Sequence, residues 1–222
     1  MSVPWTIRGR ELVYKGFQDL PTIMIVGGLL LGGMTGSIPL IVMSMGGLAT
    51  STLYLFIQNI VSSIGLTFLK VPYNSACVSH KPLGYYDVKS RMSIDGMAST
   101  WLFSVCYFIG YLFYNAISVI VLDPTTKDDV DKVNSRMAQG ISVIIALIVL
   151  GIMFVIFRLR TKCENVVTTL LGSTLGLALG LGFFALAQSS DLRIADVLQI
   201  KQGMEPIDSS KQTIKPIVCA SA

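Results

Sequence analysis

Residues 20–69 read LPTIMIVGGLLLGGMTGSIPLIVMSMGGLATSTLYLFIQNIVSSIGLTFL, fifty residues between Asp19 and Lys70 without one Asp, Glu, Lys, Arg or His. A helix crossing the hydrocarbon core of a bilayer needs about 20 apolar residues, so this stretch holds two crossings. Working outward, three more uncharged runs follow at 96–122, 137–157 and 165–190, each long enough for one. Only 14% of the chain is charged and 52% is hydrophobic, whereas a soluble domain carries roughly a quarter charged residues. The fold class that follows is all-α: a polytopic transmembrane helical bundle of about five spans, or four if residues 21–45 form a re-entrant segment.

Punctuation residues set the expected boundaries. The first helix is expected over 21–45 and the second over 48–69, with Gly46-Gly47 as the turn, because tandem glycine breaks a helix and closes a hairpin. Pro39 is expected to kink the end of the first. The third covers 97–122 and stops at Asp123-Pro124, since a residue before proline is pushed out of the helical region. The fourth covers 137–157 and the fifth 166–188. Three units result: an interfacial N-terminal segment (1–19), a transmembrane helical domain (20–190) and a polar C-terminal tail (191–222). Trp5, Tyr14 and Phe17 sit among charges in the first unit, which suits the headgroup layer. No short apolar run with a small-residue cleavage site precedes residue 20, so the first span is taken as a retained anchor.

Five spans put the N-terminus, the 70–96 loop and the 158–164 connector on one side. That side carries ten Lys/Arg and five Asp/Glu; the other carries seven and eight. Positive-inside bias then places the N-terminus on the cytosolic side. The basic residues flank apolar runs and make no block or stripe, so the net charge of +4 does not point to nucleic acid.

By these boundaries no Asp, Glu, Lys, Arg or His lies inside a span, which argues against proton relays, voltage sensors and many ion-coupled transporters. Gln58 and Asn59 are the most polar intramembrane pair. Two readings stand: they line a polar path, or they hydrogen-bond between helices and hold the bundle together. Gly28, Gly32 and Gly36, and likewise Gly172, Gly176 and Gly180, recur every fourth residue. That spacing keeps each set on one face, where helix backbones approach closely. The partner of each face is another helix of the chain or a second copy in a homo-oligomer.

Tyr107, Tyr111 and Tyr114 share a face of the third span with Trp101 and Phe103 nearby. Packing with bonded hydroxyls is the common use of such a face, ahead of an aromatic cofactor or sterol site, and no cofactor is implied. His80 stands alone, and Cys77, Cys106, Cys163 and Cys219 make no C-x-x-C, so no metal set is implied. A Cys77–Cys163 disulfide and free thiols in a reducing compartment are both open. No G-x-S-x-G, H-E-x-x-H or phosphate-loop motif occurs, and no catalytic residue is assigned. Lys81, Lys89 and Arg91 lie in an aromatic-rich loop suited to anionic headgroups or a protein partner. In the tail, residues 193–198 have the pattern of a short amphipathic surface helix, with Arg193 and Asp196 toward water and Ile194, Val197 and Leu198 toward lipid or protein.

The tail pattern of Arg193, Asp196, Leu198 and Ile200, ending in Pro216-Ile217-Val218-Cys219, resembles multi-span virion membrane proteins of large icosahedral DNA viruses over about 30 residues. The resemblance implies a structural protein of the membrane beneath a capsid, with other membrane or capsid proteins as partners and no catalytic residues. The expected function is therefore a non-enzymatic membrane structural subunit of a larger assembly; the competing one is a small channel or transporter.

The charge asymmetry yields a direct test. In sealed vesicles, an impermeant thiol reagent is expected to reach Cys77 and Cys219 from opposite faces. Labelling of both from one face would remove the five-span arrangement.

Overall fold

The computed structural model describes residues 16–17, 19–64, 100–121, 130–162, 164–190 and 192–198, and these are helical with short connectors. The helices are α1 (Leu20–Thr35), α2 (Ile38–Ile64), α3 (Thr100–Ile120), α4 (Val130–Arg160), α5 (Val166–Ser190) and the single turn α6 (Leu192–Ala195). Four of them, α2 to α5, are long and apolar enough to cross a membrane. With α1 they make the expected all-helical bundle, and the chain is an integral membrane protein. At 16 residues, α1 is about 24 Å long, short of the ~30 Å hydrocarbon core.

The first hairpin breaks ten residues earlier than expected. The turn is at Gly36-Ser37, not Gly46-Gly47. Gly36 adopts φ 68°, the left-handed conformation that closes a helix C-terminus, and the Ser37 N–H returns to the Gly32 carbonyl at 2.9 Å. Pro39 falls in the first turn of α2, where its missing N–H leaves no bond unmade, and so starts a helix instead of kinking one. Gly46 and Gly47 stay helical and serve packing. A Cβ at Gly46 would strike the Tyr107 hydroxyl and the Phe183 ring, and one at Gly47 would lie 2.8 Å from the Phe108 ring. In lipid a helical glycine keeps its backbone bonds, because no water competes for them. The fourth helix also exceeds expectation, running from Val130, seven residues ahead of its uncharged stretch.

The bundle is arranged by polarity. α3 carries Ser104, Tyr107, Tyr111, Tyr114, Asn115 and Ser118, and it is the most buried of the four long helices. α4, with the run VIIALIVLGIMFVIF, is the least buried. Lipid is as apolar as leucine, so helices sort by which side chains require protein partners, and α3, whose polar groups bond to α2 and to the segment after α5, goes to the centre. Outward faces are correspondingly apolar: Met34 is 84% exposed and Leu186 68%. Hydroxyls outside the core bond their own helix, as Thr52 does to the Leu48 carbonyl, Ser142 to Ala138 and Thr174 to Leu170.

The closest helix contact is between α3 and α5 and rests on glycine from both sides. A Cβ at Gly110 would meet the Leu177 carbonyl oxygen at 2.5 Å. One at Gly176 would strike the Phe103 carbonyl and sit 2.9 Å from Cys106 Cβ, and one at Gly180 would strike the Tyr107 carbonyl and lie 2.8 Å from the Tyr111 nitrogen. Backbone cannot yield as a flexible side chain can. Gly182, two residues on, faces open space. Gly180→Ala is therefore expected to cost about 1–3 kcal/mol of stability through overpacking, while Gly182→Ala costs nothing or gains a few tenths. Thermal unfolding in detergent measures both, and equal losses would count against the contact.

Candidate functional site

The polar chemistry of the described residues gathers at the two ends of α3. Fourteen residues separate Trp101 from Asn115, about 21 Å along the axis.

At the Trp101 end, the last turn of α4 supplies Arg158 and the connector supplies Glu164. Arg158 Nε donates to Glu164 Oε1 at 3.0 Å, with side-chain exposures of 5% and 0%. Thr169 Oγ1 reaches the other carboxylate oxygen at 3.5 Å. The guanidinium lies 5.1 Å from the Trp101 ring centroid, a cation–π arrangement that strengthens as water is removed. Trp101 Nε1 donates to the Phe17 carbonyl at 2.8 Å. The Phe17 ring packs on Phe154 and Phe157 at 6.1 and 5.4 Å. Phe17 is thereby pinned to α3 and α4 just before the chain enters α1. Asn165 and Thr168 cap α5 reciprocally: Thr168 N donates to Asn165 Oδ1 at 2.8 Å, and Asn165 N donates to Thr168 Oγ1 at 3.1 Å.

At the Asn115 end, the chain leaves α5 and turns back onto the bundle through α6. Tyr111 Oη donates to the Ala195 carbonyl at 3.1 Å. Asn115 Nδ2 donates to Asp196 Oδ1 at 3.0 Å, and Asn115 Oδ1 accepts the Leu198 N–H at 3.1 Å. Asn115 and Asp196 are 0% and 1% exposed. The expectation that Asp196 faces water is corrected here. A buried amide has to be satisfied on both its donor and its acceptor side, and the returning segment does both. The amphipathic pattern expected of 193–198 gives one four-residue turn, with Ile194, Val197 and Leu198 half-buried.

Between these ends the core is aromatic. Tyr54 stacks on Phe103 with centroids 4.1 Å apart, Ser51 and Ser104 share a 2.8 Å hydrogen bond, and Tyr107 Oη donates to the Met43 carbonyl at 3.3 Å. Tyr111 and Tyr114 both contact the Phe184 ring. The tyrosine face therefore packs with its Tyr107 and Tyr111 hydroxyls bonded to neighbouring backbone.

The residues singled out from the sequence fall as follows. Gly28 lies against Ser44 Oγ and Gly32 against Ile41, with the Ile41 nitrogen 3.1 Å from where a Cβ would stand. Gly36 is not on that packing face but in the turn, with nothing near its Cβ position. Gly172, Gly176 and Gly180 are buried on α5. Gln58 and Asn59 lie on α2, and Arg193 on α6; their side chains are outside the described residues. His80, Lys81, Lys89, Arg91, Cys77, Cys163 and Cys219 lie outside the described residues altogether. Cys106 is buried as a free thiol.

Sequence reasoning missed Gly110, Asn115, Arg158 and Glu164. The last two were counted as topology charges. Their signal was an Arg and a Glu six residues apart across a connector too short to let them separate. Asn115 was visible as the one amide in the third run, yet nothing local named its partner 81 residues away.

Among the described residues no three His, Cys, Asp or Glu side chains converge as a metal set would require. Glu164 and Asp196 sit at opposite ends of α3, each tied to another side chain. What the arrangement does chemically is fasten: the Arg158–Glu164 ion pair and the Asn115–Asp196 clasp hold neighbouring segments to the central helix.

Removing one partner of a buried pair strands the other charge. Glu164→Ala is expected to cost about 3–5 kcal/mol, and Arg158→Met with Glu164→Leu to recover most of it. Detergent unfolding of the single and double variants checks this; a double variant no better than the single would make the pair more than a neutralised tie.

Comparison with protein-family models, with curated proteins and with solved structures finds no match to this chain.

Proposed function

We propose that the chain is a non-enzymatic structural subunit of a membrane assembly. The observation that carries this reading is the α3–α5 contact, where Gly110, Gly176 and Gly180 bring backbone against backbone and leave no side-chain width between the helices. A channel or transporter needs a hydrated route lined with polar groups at membrane depth. The central helix instead spends its polar groups on fixed ties: Ser104 on Ser51, Tyr107 on Met43, Tyr111 on Ala195 and Asn115 on Asp196. Burying the Arg158–Glu164 pair fits a rigid body whose connectors keep one geometry, as a packing unit requires.

The setting is a further part of the proposal. The tail resemblance to virion membrane proteins of large icosahedral DNA viruses supports a place in the membrane beneath a capsid. The partners are then the bilayer and other membrane or capsid proteins, and the N-terminus lies on the cytosolic side. Lys81, Lys89, Arg91 and Arg193 are the basic residues offered for headgroup or protein contact.

Reconstitution into liposomes tests the reading. No specific ion or solute flux is expected from the full chain, and Gln58→Leu with Asn59→Leu is expected to alter stability or assembly alone. Flux that is present in the wild type and lost in that double variant would replace the structural reading with a transporter.

A further inference from the structure

The end of α4 and the turn into α5 carry three cations, Arg158, Arg160 and Lys162, against one carboxylate, Glu164. Arg158 is buried and spent on Glu164. Arg160 and Lys162 are exposed, and among the described residues neither side chain makes a hydrogen bond or an ion pair. The backbone that carries them is nevertheless held. Lys162 has φ 54°, in the left-handed region, with its N–H bonded to the Leu159 carbonyl at 3.1 Å, and Thr161 Oγ1 donates to the Phe157 carbonyl at 2.9 Å. The Asn165–Thr168 cap starts α5 directly afterwards. Because Glu164 is turned inward onto Arg158, it does not offset the two outer cations, and the turn presents a net double positive charge on its surface.

The surroundings of these charges are apolar. Arg160 ends the membrane-crossing stretch of α4, the least buried of the long helices. Ile145, Val149, Ile152 and Ile156 are exposed on that helix at spacings of four, three and four, and Arg160 follows four residues on. At 3.6 residues per turn all five lie within about 80° of one another, on one face. Beyond the turn, Val166, Val167 and Leu170 open α5 with further exposed aliphatic surface. An acyl chain lying along the α4 stripe brings its headgroup to the level of Arg160, where a guanidinium and an ammonium meet a phosphate through charge-assisted bonds. We propose that Arg160 and Lys162 form a binding site for one anionic phospholipid, with the phosphate on the two cations and an acyl chain along the α4 stripe. The site is distinct from the buried Arg158–Glu164 tie, and it serves a structural subunit and a transporter equally.

Native mass spectrometry of the full chain in detergent tests this, by titration with phosphatidylglycerol, which is anionic, or phosphatidylcholine, which is zwitterionic, carrying the same acyl chains. The wild type is expected to bind one phosphatidylglycerol at least about ten-fold more tightly than phosphatidylcholine. Arg160→Gln and Lys162→Asn should each weaken phosphatidylglycerol binding about five-fold, and together about thirty-fold, with phosphatidylcholine binding unchanged. Asparagine tolerates the left-handed conformation at position 162, so the second variant removes the charge without straining the turn. Arg160→Lys combined with Lys162→Arg keeps both charges and should keep the preference within about three-fold. Inorganic phosphate, which has no acyl chain, is expected not to displace the lipid at millimolar concentration; displacement would make this a site for free phosphate and overturn the proposal. Equal affinity of the wild type for the two lipids would overturn it whatever the variants do. A preference that survives the loss of both cations would overturn it too, by placing the selectivity elsewhere on the chain.

Discussion

A helix that carries three tyrosines, an asparagine and two serines cannot face lipid, and the rest of the structure follows from where α3 finds partners for them. Each unpaired polar group in hydrocarbon costs several kcal/mol. The central position of α3 is therefore a matter of satisfaction more than of hydrophobicity. The apolar span of α4 is left outside because its aliphatic side chains need no polar partner, while Arg158 at its end is buried against Glu164. In water the same two sequences would sort the opposite way.

Putting the polar helix at the centre creates a second requirement. Rings as large as Tyr107, Tyr111 and Phe103 hold neighbouring helices apart unless one side of α3 is kept thin. Gly110 on α3 and Gly176 and Gly180 on α5 provide that side. Their contact is backbone to backbone, while the opposite side of α3 spends its width on the Tyr54–Phe103 stack and on Gly46 and Gly47 beneath Tyr107 and Phe108. The same logic recurs in the first hairpin, where Gly28 and Gly32 admit Ser44 and Ile41. Ser44 Oγ is buried there without a hydrogen-bond partner.

How much of this was legible in the sequence depends on the range of the signal. Uncharged runs of about 20 residues are set by bilayer thickness, so the third, fourth and fifth helices could be placed from composition alone. The spacing of Gly172, Gly176 and Gly180 marked a thin face. The first turn was misplaced because Gly36-Ser37 and Gly46-Gly47 offer the same local signal. The choice fell to Pro39, which suits a first turn, and to the rings of α3, which are far away in sequence. Asp196 was misread for a related reason. An acidic residue in a polar tail belongs to water unless a specific group takes it, and Asn115 lies 81 positions earlier. Arg158 and Glu164 were read by charge alone, although the short connector between them already forced proximity.

The two fastenings of α3 differ in kind. At the Trp101 end a guanidinium and a carboxylate cancel each other, the guanidinium lies over an indole, and the indole N–H holds the entering chain at Phe17. That pair is neutral, and with Trp101 and Thr169 it ties Phe17, α3, α4 and α5 in one cluster. At the Asn115 end the side-chain amide takes the Asp196 carboxylate with one half and the Leu198 N–H with the other, on a segment with one turn of helix behind it. Stranding either charge of the Arg158–Glu164 pair costs about 3–5 kcal/mol, a large share of a bundle's marginal stability. The two ends thus fasten different partners to α3, a charged connector at one and a returning backbone at the other, and at each a buried polar group is matched on both of its sides.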